Sequence, residues 1–275
     1  MTWHRRVAAS MAAVTVALML PSSVTAQALW LSTDARPSLG IDWYKPIIDG
    51  APFSGSSSSA IISGNLKASD RVFIEFDVPF SYADFDVNGT DIRIGNPYLG
   101  AAFGSVSSLF RFQIGFRLGF GEQQDDTEEN ALVTGFFADW ERFEAFEPNT
   151  TSLRSALSVG KIFESGFSVG GRVGATAMAR SGDNQESDVW GDYGARVGYD
   201  KSGVGIYANL SGRYLISEER EFGIPFSERT AHQIGGSAHF TSGSWRPSVE
   251  LRVPLDEDIS PNLDASIKVG LTRFF

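Results

Sequence analysis

The 275-residue chain has no cysteine, so it can hold neither a disulfide framework nor a thiolate metal site. Beyond its first twenty residues no stretch approaches the 18 or so unbroken apolar residues of a membrane helix. Histidine is nearly missing: after His4 there are only His232 and His239. Positive charge is also short, with 23 Lys and Arg against 33 Asp and Glu and a net charge of −10, which excludes a generic nucleic-acid binder. A hydrophobic fraction of 42% would suit an ordinary water-soluble protein. It equally suits a chain whose strands show one face to lipid and the other to water.

The N-terminus reads as a secretory signal. His4, Arg5 and Arg6 form a basic start, Val7 to Leu20 an apolar run, and Pro21 to Ala28 a small-residue stretch. Cleavage is expected after Ala28 or Ala26, leaving residues 29–275 as a single domain. Losing Arg5 and Arg6 makes the mature chain more acidic still.

Alternation at period two runs through the mature chain. Phe110, Phe112, Ile114, Phe116 and Leu118 share one face of a strand; Arg111, Gln113, Gly115 and Arg117 share the other. Val72, Ile74, Phe76, Val78 and Phe80 oppose Arg71, Glu75 and Asp77. Val204, Ile206, Ala208, Leu210 and Tyr214 oppose Gly205, Tyr207, Asn209, Ser211 and Arg213. Trp245, Val249, Leu251 and Val253 oppose Arg246, Ser248, Glu250 and Arg252. At the end, Ala265, Ile267, Val269, Leu271 and Phe275 oppose Asp264, Ser266, Lys268, Gly270 and Thr272. A one-residue slip would set arginines against lipid, at roughly 2–4 kcal/mol each near the midplane.

Strands are expected near 38–48, 58–68, 71–83, 91–104, 107–120, 150–164, 166–181, 188–200, 203–217, 229–242, 243–254 and 262–275. That is about twelve, with ten or fourteen as alternatives. Tight turns at 67–71, 104–108, 164–166, 200–203 and 242–244 alternate with longer segments at 49–57, 84–90, 121–149, 182–187, 218–228 and 255–261. The last strand, ending on an aromatic residue, together with the signal, resembles the closing strand of Gram-negative outer-membrane β-barrels. The resemblance implies an all-β antiparallel transmembrane barrel, with short periplasmic turns and long extracellular loops. It also implies that Phe275 is read as an assembly signal by the barrel-assembly machinery, and that lipid and lipopolysaccharide are its surroundings.

The inward-facing candidates are Arg71, Glu75, Asp77, Arg93, Arg111, Arg117, Arg154, Arg172, Arg196, Arg213, Glu250, Arg252 and Lys268, with Asp42, Asp192 and Asp264 beside them. Arginine outnumbers acid in that set. One reading is a ladder guiding small anionic or aromatic solutes through a pore; the other is a lumen packed shut by ion pairs. A third places the function in acidic loops, among them Glu122, Asp125, Glu128, Asp183, Glu186, Asp188, Glu218, Asp256 and Asp258, as a structural or adhesin-like barrel.

Within 121–149, Leu132, Phe136, Trp140 and Phe143 fall on one face of a helix, with Asp139, Glu141 and Glu144 elsewhere on it. Phe136, Trp140 and Phe143 are therefore constriction candidates, on a helix over or in the pore, at the membrane surface, or in an extra hairpin. Residues 71–82 followed by Ile94-Gly-Asn-Pro-Tyr-Leu-Gly100 resemble the outer-membrane proteins linked to meta-pathway phenol degradation, with Asn96 where Asp is expected. That resemblance implies uptake of aromatic compounds and no catalytic residues. No cofactor or metal is expected. An enzyme is not expected either: Ile234 stands two residues after His232 where an outer-membrane phospholipase carries Ser, and His239 has no acid foreseen beside it.

Overall fold

The computed structural model describes residues 36–47, 55–85, 89–104, 109–120, 135, 139–181, 187–217, 230–256 and 263–275. Its strands are β1 (Ser38–Ile47), β2 (Gly55–Lys67), β3 (Val72–Phe85), β4 (Gly89–Ile94), β5 (Tyr98–Phe103), β6 (Phe110–Arg117), β7 (Thr150–Ile162), β8 (Phe167–Arg180), β9 (Ser187–Lys201), β10 (Val204–Leu215), β11 (Thr230–Phe240), β12 (Trp245–Pro254) and β13 (Ala265–Phe274). Every pairing is antiparallel, and β1 pairs with β13 to close the ring. Since β4 and β5 both pair with β3 and continue one another, the wall is a closed twelve-stranded barrel. Closure leaves no unpaired edge for lipid to meet. The expected signal peptide lies outside the described residues.

The alternation is realised as two surfaces. Along β6, Phe110, Phe112, Ile114 and Phe116 are exposed to the surroundings while Gln113, Gly115 and Arg117 are buried. Ile41, Trp43, Leu99, Leu153, Leu157, Val173, Ile206, Leu251 and Val269 continue the apolar belt on other strands. A water-soluble fold would not leave so many large apolar side chains uncovered; a band about 25 Å tall facing acyl chains requires them.

The turns joining strands at the rim where β1 begins and β13 ends are short. Ser202 and Gly203, at φ 55° and 84°, link β9 to β10 with both central residues left-handed, the hairpin turn that suits the twist of flanking strands. Gly166 (φ 95°) and Gly243 (φ 61°) serve the β7–β8 and β11–β12 turns. Arg71 belongs to such a turn and is exposed, with its amide on Ser69 Oγ; it does not line the lumen as expected. Asp264, expected to face inward, is exposed just before β13. Asp188, expected in a loop, lies on β9, buried and paired with Arg180 at 3.3 Å.

The expected strand 91–104 is broken at Gly95-Asn96-Pro97, where β4 gives way to β5. Proline cannot donate to a ladder, so the break is local to that triplet. Something other than a neighbouring strand occupies the place it opens.

Candidate functional site

The chain after β6 turns inward. A short 3-10 helix, η1 (Trp140–Ala145), lies in the lumen and returns to the wall at Thr150. Asp139, Arg142, Glu144, Ala145 and Phe146 are each no more than 1% exposed. The expected α-helix over this stretch is therefore a tighter, irregular turn, with Arg142 at φ −130°. Leu132 and Phe136 lie outside the described residues, as do most of the acidic loop positions and the side chain of Trp140. Phe143 is buried edge-on against Trp190, with ring centroids 5.3 Å apart. It fills space against the wall.

The dock is the β4–β5 break. Asn96 Nδ2 donates to the carbonyls of Glu144 (2.9 Å) and Glu147 (2.7 Å), and its amide donates to Ala145 O (2.7 Å). Asn96 Oδ1 accepts from the Phe120 amide (3.0 Å), and its carbonyl accepts from Arg117 Nη1 (2.8 Å). Every polar atom of this residue, 1% exposed, is used: its two nitrogens hold the segment and its two oxygens hold β6 and the residues just after it. Asp could not make the two side-chain donations, which gives the Asn at this position a physical reason. Gly95 is required for contact: a Cβ there would stand 2.1 Å from Ala145 O.

Charge completes the dock. Glu144 accepts from Arg213 Nη1 at 2.8 Å and lies 3.5 Å from Arg154 and 3.9 Å from Arg117. Asp139 pairs with Arg252 at 3.0 Å and with Arg142 at 2.6 Å. Glu141 accepts from Ser211 Oγ (2.6 Å) and Gln233 Nε2 (2.5 Å). Arg142 reaches Tyr44 Oη at 2.6 Å, and Phe146 packs with Tyr44 and Ile61. Arg180 holds Glu147 at the rim. Burial works to raise the Glu144 carboxyl, but Arg213, Arg154 and Arg117 overcome it and hold the group down at about 2. Glu141 goes the other way: burial raises it, Arg252 opposes, and Asp139 and Glu250 add to the rise.

The remaining expected lumen residues also face inward. Arg117 grips Asp77 with two nitrogens (2.5 and 2.8 Å), and Arg111 and Gln113 both donate to Glu75. Arg172 lies 3.3 Å from Asp192, and Lys268 and Arg252 share Glu250 at 2.5 and 3.0 Å. Arg196 stacks over Tyr207 at 4.9 Å, and Arg93 meets Asp91 at 2.6 Å. The expected surplus of inward arginine is thus offset by acids from η1, which strand alternation cannot place in the lumen. The surplus was itself the signal: buried arginines without partners are costly, so carboxylates had to arrive from elsewhere.

Between the dock and the short-turn rim, Glu75, Asp77, Tyr98, Gln113, Arg117, Arg154, Ala156 and Arg172 line a small unfilled space, with room for a water or two and in part open to solvent. Tyr98 lies flat over Gly100 and Gly115, where a Cβ would meet its hydroxyl oxygen at 2.3 and 2.4 Å. Near that rim His239 does have an acid: Asp200 is 3.5 Å from Nε2 and accepts from Tyr207 Oη at 2.6 Å. This corrects the expectation of no acid there. His232 contacts Asp256 at 3.0 Å at the opposite rim, with Ile234 exposed two residues on.

No family model matches the chain, and no curated protein matches it. Among solved structures, an outer membrane channel from Pseudomonas putida F1 is similar at 11% identity and TM-score 0.58, covering 91% of this chain and 99% of that one. The NanC porin (9% identity, TM-score 0.51) and LpxR from Salmonella typhimurium (12%, 0.51) each cover 86% of this chain and 100% of theirs. The likeness is one of fold: this chain is built as an outer-membrane β-barrel.

Proposed function

We propose that this chain is an outer-membrane channel for small solutes, held closed here by its own segment 139–149. The observation that carries the reading is that segment 139–149 sits inside the barrel, docked on the β4–β5 break and on wall arginines. A barrel closed only by its wall side chains would need no such insertion. The apolar belt and the terminal Phe275, exposed at the rim where β1 begins and β13 ends, support an outer-membrane place reached by export and barrel assembly, with lipopolysaccharide around the acidic loops. The inward arginines support anions as the class of solute, and Tyr98, beside the unfilled space, supports an aromatic part, consistent with the resemblance to phenol-linked outer-membrane proteins.

The test is planar-bilayer conductance of refolded protein, wild type against a variant in which residues 135–147 are replaced by a short Gly-Ser link. Small or rare currents in the wild type and larger, steady ones in the variant are expected. Equal currents in the two would remove the gate. No current in either would establish the second reading, a packed structural barrel, which the density of ion pairs favours.

A further inference from the structure

Glu144 occupies a seat that is built for a carboxylate and is not built by Glu144. Three wall strands supply it: Arg117 from β6, Arg154 from β7 and Arg213 from β10, with side chains 3%, 12% and 3% exposed. Among the described residues Glu144 is the carboxylate within ion-pair distance of Arg213. Nε and Nη2 of Arg213, and Nε of Arg154, are buried with no hydrogen-bond partner. Docking therefore leaves donors unused, and withdrawal of Glu144 would leave Arg213 buried without a counter-charge, which is costly. The seat adjoins a small, partly open space lined by Tyr98, Gln113 and Arg172, which withdrawal of the segment would enlarge for the rest of a molecule whose carboxylate took the place of Glu144. The segment itself is held by contacts to the wall, not by regular helical structure, as the backbone at Arg142 shows.

We infer that Arg117, Arg154 and Arg213 form a binding site for the carboxylate of a transported organic acid, with Glu144 as the built-in competitor that the solute displaces. The inference rests on the channel reading above and names the solute class of the same lumen. Competition by a tethered group lowers the apparent affinity by the fraction of molecules in which the seat is vacant. Variants that weaken the competitor should bind the solute more tightly, although they add no contact to it.

The experiment is calorimetric titration of the refolded full-length chain with citrate as the carboxylate probe, sucrose as the neutral one and sulfate as a non-carboxylate anion. Glu144→Gln, which keeps shape and drops charge, and Asn96→Asp, which loosens the dock while leaving the seat intact, should each bind citrate about tenfold more tightly than wild type or better. Adding Arg213→Gln to either should abolish the gain, and sucrose should show none. Folding is checked by heat-modifiable migration, and if Glu144→Gln fails that check Asn96→Asp carries the comparison alone. Unchanged citrate affinity in the folded variants overturns the proposal. So does a gain that survives Arg213→Gln, or a gain for sulfate equal to that for citrate. Because binding is read without current, a citrate gain in a protein that never conducts would refute the channel reading and leave the seat standing.

Discussion

Asn96 and Glu144 hold the same segment by different physics, and they can be separated. Asn96 works through neutral hydrogen bonds to backbone carbonyls, insensitive to pH. Glu144 works through charge, and its carboxyl is held at about 2, below its ordinary value of 4.5. A carboxyl depressed in the docked state stabilises docking fully above the undocked value. That contribution fades as pH falls from about 4.5 toward 2, and the difference corresponds to about 3 kcal/mol. Glu141, raised in the docked state, has the opposite sign: its burial weakens docking at neutral pH and ceases to do so once it is protonated. Protease cleavage within 135–149 should therefore increase only below about pH 4.5 in the wild type. In Glu144→Gln the acid-dependent step should shrink to the part that Asp139 contributes, which Arg142 and Arg252 hold below its ordinary value against burial, with raised cleavage already at pH 7. An unchanged acid transition in that variant would show that other carboxylates hold the dock. Gly95→Ala should loosen the segment at all pH values alike, because the clash with Ala145 O is steric.

Among the elements, β6 shows why both faces of a strand are constrained. Phe116→Arg sets a charge against lipid and should cost roughly 2–4 kcal/mol in folding yield. Arg117→Phe looks milder in the alternation, but it would take both short hydrogen bonds from Asp77, which is fully buried, leaving Arg142 at 3.9 Å, and should cost about 3–5 kcal/mol. Arg117→Met with Asp77→Leu should recover most of that loss. A double variant as poor as the single one, in urea titration of the detergent-folded barrel, would mean that Asp77 is not the reason.

This contrast marks what sequence can tell. The register of β6, β10 and β12 is legible because two solvents impose it residue by residue. The break between β4 and β5 is harder to read: at Gly95-Asn96-Pro97 the outward phase slips by one, from Ile92 and Ile94 to Leu99 and Phe103, and the partner of Asn96 lies about 50 residues on. The helical apolar spacing of segment 131–146 misleads over residues 139–146, the part that the structure describes continuously. In the barrel it is fixed instead by Asp139, Glu141 and Glu144 on wall cations, contacts between strands that no local period encodes. Alternation puts the candidate arginines of the strands on the correct face and is silent on the acids that neutralise them.

For the whole molecule, the balance of charge in the lumen depends on where segment 139–149 lies. Docked, its acids offset Arg154, Arg213 and Arg252. Removed, they leave the wall with more inward cations than anions, and an arginine-lined passage concentrates anions. Reversal potential across a salt gradient should show clear anion preference in the segment-replaced variant, lost on neutralising Arg111, Arg117 and Arg172 together. Cation preference in that variant would refute an anion path. Deleting Phe275, or changing it to Lys, should leave export intact and abolish outer-membrane assembly, read as degraded periplasmic protein in place of heat-modifiable barrel. Normal barrel in the outer membrane would end the case for a terminal assembly signal.

The segment comes after β6 and before β7 at the long-loop rim, so it is tethered by both ends to the same side. On the channel reading, a cork strung that way hangs from one rim alone, so the side from which a solute arrives would decide whether it lifts the segment out or wedges it home.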